Sequence, residues 1–166
     1  MISLVIPIFN EAENLPTLYD RITVAAQDWQ EDYEIIFVDD GSTDKSLSLL
    51  ENLHYADRRV KVISFSRNFG HQTAVTAGLK YTHGDAVIVM DADLQDPPEQ
   101  IVYLLEKWRE GYEVVYAVRR KRKEIWLKRW AYACFYHLLA WMASIEIPLD
   151  SGDFCLMDRV IVDRLN

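Results

Sequence analysis

Five short, largely apolar runs recur along the chain, and they leave it little choice of architecture: Ser3–Ile8, Glu34–Val38, Val60–Phe65, Ala86–Met90 and Glu113–Val118. Each is short for a helix and nearly continuous in apolar character, as a strand covered on both faces should be. A stretch with helical signals follows each of the first four. That alternation predicts an α/β domain with a mostly parallel, twisted sheet, helices on both faces and right-handed crossovers. Asn10 with Glu13 reads as a capping box opening a helix that runs to about Gln27. A second helix follows the turn Gly41–Asp44 and runs to about Leu53, and a third spans Gln72–Tyr81, where Ala74, Ala77 and Gly78 are small enough for close packing on the sheet. Asp96 reads as the N-cap of a fourth helix, with Pro97 in its first turn and Gly111 ending it. Asp150–Phe154 reads as a polar loop after Pro148, and Arg159–Leu165 as a closing helix.

The chain has 166 residues, half of them hydrophobic, which is one domain's worth with a core that needs no staples. We therefore expect residues 1–166 to form a single domain. A net charge of −8 argues against nucleic acid as a partner. That charge is unevenly spread: residues 119–129 hold seven Lys and Arg against only Glu124, so the rest is strongly acidic. Cys134 and Cys155 form no metal-ligand spacing and fit a reducing compartment. Met1 leads straight into the first strand, with nothing like a signal peptide.

Ligands of open parallel sheets bind beyond the carboxyl ends of the strands. Those ends carry Asn10 and Glu11, Asp39 and Asp40, Arg67, Asp91 and Asp93, and Arg119. The sharpest of these signals is Asp91-Ala92-Asp93-Leu94-Gln95. Carboxylates one residue apart on extended backbone project to the same side, and they repel unless a cation sits between them or one is protonated. Hard oxygen ligands on a short turn suit Mg²⁺ or Mn²⁺, ions that usually arrive with phosphates. Asp91, Asp93 and Gln95 are thus the candidate metal site. Asp39 suits a ribose hydroxyl or the N3–H of uracil, whereas Asp40 and Asp44 read as turn and cap residues around Gly41. Arg67 faces either a nucleotide or solvent, and His71 reads as a surface residue at a helix start.

The basic run leads into Ile125–Ala143, which is rich in Trp, Tyr and Phe. Its unbroken apolar stretch, Trp130–Ala143, is too short to cross a bilayer, which takes ~20 residues. Residues 119–144 therefore read as a helical segment lying at a membrane surface, with Arg119, Lys128 and Arg129 placed to hold a lipid-linked phosphate. A core helix is the plainer alternative.

Taken in order, Val5–Glu11, Val38–Asp44, Ser66–Gln72 and Met90–Glu99 resemble the motifs of family-2 inverting glycosyltransferases of the GT-A fold. The resemblance is to the polyisoprenyl-phosphate branch, which includes dolichyl-phosphate mannose synthase and the bactoprenol glucosyltransferases. It implies that Pro7, Asn10, Glu11, Asp39, Arg67 and Asp91 line a nucleotide-sugar pocket, and that Asp91, Asp93 and Gln95 serve a Mg²⁺ or Mn²⁺ ion and the diphosphate. It further implies that Arg119, Lys128 and Arg129 bind the acceptor phosphate, with Asp93 and Asp153 at the reaction centre. The expected activity is transfer of a hexose, glucose first among the candidates, from a UDP-sugar to a polyisoprenyl phosphate at the cytoplasmic face of the membrane. Members of this branch continue into transmembrane helices, whereas these residues hold no stretch of that length, so a catalytic portion is expected.

A soluble glycan or protein acceptor is the nearest rival. A receiver-like signalling domain wants acidic residues right after the first strand, yet this strand ends Pro7-Ile8-Phe9-Asn10. A dinucleotide oxidoreductase lacks its Gly-x-Gly-x-x-Gly after any strand. The sequence leaves the sugar, the base and the oligomeric state open, a homo-oligomer included.

Overall fold

The computed structural model describes residues 1–118 and 151–165, without the side chains of 118 and 151–153. Residues 1–116 with 153–166 form one compact unit and residues 117–152 a second. The expectations for Arg119, Lys128, Arg129 and the 119–144 segment lie outside the described residues.

Among the described residues six strands make one sheet: β1 (Ile2–Ile8), β2 (Tyr33–Asp39), β3 (Val60–Ser64), β4 (Ala86–Val89), β5 (Val114–Val118) and β6 (Ser151–Asp158), in the order β3-β2-β1-β4-β6-β5. β1 pairs in parallel with β2 and with β4, and β2 in parallel with β3. Every residue of β1 and β4 is buried, the polar Ser3 of β1 included, whose hydroxyl donates to Glu34 Oε1 at 2.6 Å. Around the sheet lie α1 (Leu15–Ala25), α2 (Ser46–Ala56), α3 (His71–Lys80), α4 (Ile101–Arg109) and α5 (Arg159–Leu165). Val5, Val87 and Val89 pack with Leu79 of α3 and Val162 of α5. Leu4, Ile6, Ile35 and Phe37 point the other way by strand alternation and are also fully buried. That second face needs its own cover, and α1, α2 and α4 bring buried Leu18, Ile22, Leu50 and Leu105. Gly78 lets α3 close on the sheet: a Cβ there would collide with the Val5 side chain and stand 3.1 Å from Val38 Cγ2.

Three local expectations are corrected. Asp150–Phe154 is not simply a loop, since Ser151–Asp158 forms β6, which enters antiparallel to β4 with Val89 opposite Cys155. The turn-forming Ser151-Gly152-Asp153 masked a short apolar strand behind it. The Asn10–Glu13 capping box does not form, because α1 begins at Leu15 behind Asn14, and Asn10 spends its side chain on another loop. Asp96 is not an N-cap: Pro97 caps a 3-10 turn at Pro98–Gln100, Gln100 caps α4, and Asp96 is buried instead. Pro98 holds the residue before it, Pro97, extended (φ −76°, ψ 122°), which moves the helix start downstream.

On the far side of α2 an ionic knot ties three elements. Asp57, at the C-terminus of α2, accepts three hydrogen bonds from the Arg59 guanidinium, two of them from Nε, and one each from the N–H of Arg59 and the hydroxyl of Tyr19 from α1. Arg59 in turn lies 4.6 Å from the centre of the Tyr33 ring. The Arg59 side chain above all, then the backbone N–H and Tyr19, pull the Asp57 carboxyl down from 3.8 to about 2. A carboxylate whose folded pKa is depressed stabilises fully above its unfolded value, and that stability is lost as pH falls toward the folded one. Asp57→Asn is therefore expected to cost on the order of 2 kcal/mol at pH 7. Urea titrations should show the gap between wild type and variant closing between pH 4 and pH 2. A gap that persists at pH 2 would rule out this carboxylate as its source.

Candidate functional site

The register brings the carboxyl ends of the central strands together. Ile8 lies opposite Asp39, Asp39 opposite Ser64, and beyond β4 the N–H of Met90 still donates to Val5 O at 3.2 Å. The loops leaving these ends bond to one another rather than to solvent. Asn10 has a left-handed backbone (φ 57°), a conformation its short polar side chain tolerates. Its Oδ1 accepts from the N–H of Thr43 at 2.8 Å and of Asp44 at 3.3 Å. In return the N–H of Asn10 donates to Ser42 Oγ, that of Glu11 to Ser46 Oγ, and that of Ala12 to Asp44 Oδ2. Asp44 also accepts from the N–H of Ser46, the first residue of α2, although the N-cap position itself falls on Lys45 and not on Asp44 as expected. Burial pushes the Asp44 carboxyl up, but the bonds from Ser46 and Ala12 outweigh it and leave the group below the usual carboxylate range.

A second cross-tie joins the β2 exit to the β3 exit. Asp40 is buried and accepts from the N–H of Phe69 at 2.7 Å and of Gly70 at 2.9 Å, one on each oxygen. Gly41 (φ 69°) crosses the backbone of Arg67 and Asn68 so closely that a Cβ would stand 2.7 Å from Arg67 Cα and from Asn68 N. The segment Arg67–Gly70 is thus held from below, and it delivers His71 as the first residue of α3.

Between these loops lies a cavity of about 270 Å³. Pro7, Phe9 and Glu11 form one wall, Asp40, Asn68 and His71 another, and Asp91 and Asp93 a third. Asp93 Oδ1 accepts from the N–H of Gln95 at 3.0 Å, closing a turn across Leu94. Leu94 takes φ 63°, a conformation that costs a non-glycine residue of order 1 kcal/mol. Strain of this kind persists where the surroundings impose it, and here it fixes the second carboxylate of the pair.

Of the residues singled out from the sequence, the structure gathers Pro7, Glu11, Asp91 and Asp93 on this cavity. Asn10, Asp39, Arg67 and Gln95 do not belong to its described wall. Asn10 braces the 43–44 turn. Asp39 is 1% exposed and takes long bonds from the Ser42 N–H at 3.3 Å and the Ser64 hydroxyl at 3.4 Å. Arg67 lies over the Phe69 ring, 4.7 Å from its centre. Asp153 falls in β6, its side chain outside the described residues. Sequence reasoning passed over Phe9 and Asn68 and took Asp40 for a turn residue and His71 for a surface one. The signal that could have found them is that all four lie within the motifs Val5–Glu11, Val38–Asp44 and Ser66–Gln72.

The acidic pair fits a divalent cation in one respect. Among the described residues no three His, Cys, Asp or Glu side chains cluster closely enough to hold a metal alone. Two carboxylates on one turn leave most of an ion's oxygen positions to a ligand, which is how Mg²⁺ sits on substrate phosphates.

Residues 3–165 match the family model described as glycosyl transferase family 2. The uncharacterized glycosyltransferase YkcC of Bacillus subtilis (strain 168) is 52% identical over 164 residues, 98% of this chain and 51% of its own length. The bactoprenol glucosyl transferase of Shigella phage SfV is 41% identical over 165 residues, 99% of this chain and 54% of its own. This chain therefore spans about half the length of the curated relatives it matches. Among solved structures, mannosyltransferase PcManGT from Pyrobaculum calidifontis, in complex with GDP-Man and Mn²⁺, superposes with a TM-score of 0.70 at 22% identity, over 99% of this chain and 46% of that one. At that identity the likeness is one of fold, the GT-A fold.

Proposed function

The chain belongs to glycosyl transferase family 2, and from that premise we propose that it transfers a hexose, glucose first, from a UDP-sugar to a polyisoprenyl phosphate, with inversion at the anomeric carbon. One observation carries this reading: Asp91 and Asp93 share a cavity with Pro7, Phe9 and Glu11 at the carboxyl edge of the sheet. The cavity would take the donor, with Asp91 and Asp93 as ligands of Mg²⁺ or Mn²⁺ and Gln95 as their neighbour on the turn. The ion would supply charge stabilisation for the departing nucleoside diphosphate.

The rest of the chemistry falls to the chain itself. A phosphate acceptor is already an anion and needs little base catalysis, so the main task is alignment for in-line attack on the anomeric carbon. We assign Arg119, Lys128 and Arg129 to the acceptor phosphate, Asp153 to orienting the reacting groups, and Asn10, Asp39 and Arg67 to the nucleoside side. Support for the lipid acceptor comes from the name of the phage relative and from the basic, aromatic stretch 119–144. Among the described residues no helix is long and apolar enough to cross a membrane. The proposed site of action is the cytoplasmic face of the membrane.

Incubation with radiolabelled UDP-glucose, Mn²⁺ and vesicles carrying polyprenyl phosphate is expected to move label into an organic-extractable product. Label appearing only in water-soluble products would overturn the lipid acceptor in favour of a soluble glycan or protein. Transfer from GDP-mannose in place of UDP-glucose would overturn the choice of donor.

A further inference from the structure

We propose that His71 binds the diphosphate of the sugar donor, a role that rests on the donor reading above and deepens it. The cavity poses an electrostatic problem for such a ligand, because Glu11, Asp40, Asp91 and Asp93 all line it. An entering diphosphate meets carboxylates on three sides. Asp40 directs both oxygens to the backbone of Phe69 and Gly70. Asp91 and Asp93 would be answered by the divalent cation they are proposed to hold. Even so, the phosphate oxygens facing away from the ion need hydrogen-bond donors, and the wall offers few. Among the described lining residues, His71 and Asn68 are the ones whose side chains can donate an N–H hydrogen bond.

The placement of His71 is built rather than incidental. Its Nδ1 stands 3.9 Å from Asp91 Oδ1, one of the two carboxylates proposed to hold the ion. The ring is only partly exposed, and the loop before it is fixed by the Asp40 clamp and by the crossing of Gly41 under Arg67 and Asn68. Gly70 completes the approach with a left-handed φ of 96° that turns the chain into α3 at His71. A nitrogen ligand to the ion itself is the competing role. Mg²⁺ and Mn²⁺ favour oxygen, and no three-ligand cluster forms here among the described residues, so the phosphate is the better partner.

The test compares UDP with uridine, which lacks phosphates, by equilibrium binding in the presence of Mn²⁺, on wild type, His71→Ala and His71→Asn. The expected result is a roughly tenfold weaker UDP affinity for His71→Ala, the scale of one charge-assisted hydrogen bond, with uridine affinity unchanged. His71→Asn, whose amide reaches about as far as Nδ1, should recover some of the loss. Equal loss for UDP and uridine would overturn the inference and reduce His71 to a structural residue. Weaker Mn²⁺ binding without nucleotide, read by electron paramagnetic resonance, would overturn it by making His71 a metal ligand. Unchanged UDP affinity in His71→Ala overturns this inference alone. A wild type that binds UDP no better than uridine overturns the donor reading and this role with it.

Discussion

Asp93→Ala is expected to abolish the Mn²⁺-dependent stabilisation of the protein by UDP and to lower sugar transfer by about three orders of magnitude, the scale of losing ~4 kcal/mol of transition-state stabilisation. The size of the effect follows from how few groups share the task. Asp93 is one of two carboxylates on the third wall of the cavity, and its position is locked by the bond from Gln95 N–H across the strained Leu94. No nearby trio of ligands among the described residues stands ready to take over. Thermal shift with and without Mn²⁺ gives the first readout, and single-turnover transfer the second. Asp93 is exposed at the surface of its turn, so the variant should fold with a melting temperature near wild type in the absence of ligand. Metal-dependent stabilisation that survives the substitution would remove the ion from this position.

Gly41→Ala should produce the largest loss of stability of any single methyl added near the site. Two costs add. A residue with a Cβ at φ 69° pays about 1–2 kcal/mol for the left-handed conformation. The methyl must then push neighbouring backbones apart, since it would stand 2.7 Å from Arg67 Cα and Asn68 N, and backbone held by the Asp40 clamp cannot swing aside as a flexible side chain would. A total of roughly 3–5 kcal/mol is expected, equivalent to a fall of about 10 °C in melting temperature for a chain of this size. Gly111→Ala is the control. Gly111 also has a positive φ, 100°, but a Cβ there meets nothing within 4 Å, so only the conformational cost of about 1 kcal/mol applies. Equal losses at the two positions would show that the loop crossing contributes nothing.

The central strands β1 and β4 were legible because they are buried on both faces and so run nearly unbroken in apolar residues. β1 and β4 appear within a residue of where their apolar runs lie. β6 was hidden because its polar Ser151-Gly152-Asp153 lead carries turn chemistry, which a strand tolerates only where a neighbouring strand imposes the pairing. The helix starts failed for a related reason. Asn10 and Asp96 have the residue types of caps, yet tertiary bonding claimed Asn10 for the 43–44 turn and burial claimed Asp96. In the site, Asp91 and Asp93 announced themselves by spacing. Asp40 and His71 did not, since a turn aspartate and a helix-start histidine look ordinary until the β3 exit is folded against the β2 exit.

The order of strands in space differs from the order in which they are made, and this bears on synthesis. β6, the last of the described strands in chain order, is the one that lies between β4 and β5. The four parallel strands can assemble while translation continues, because each finds its neighbour already present. Among the described strands β5 neighbours β6 alone, so its pairing there waits until the polypeptide reaches Ser151. A nascent chain released before that residue leaves the flank of β4 bare, with hydrogen-bonding groups open to any strand in the vicinity.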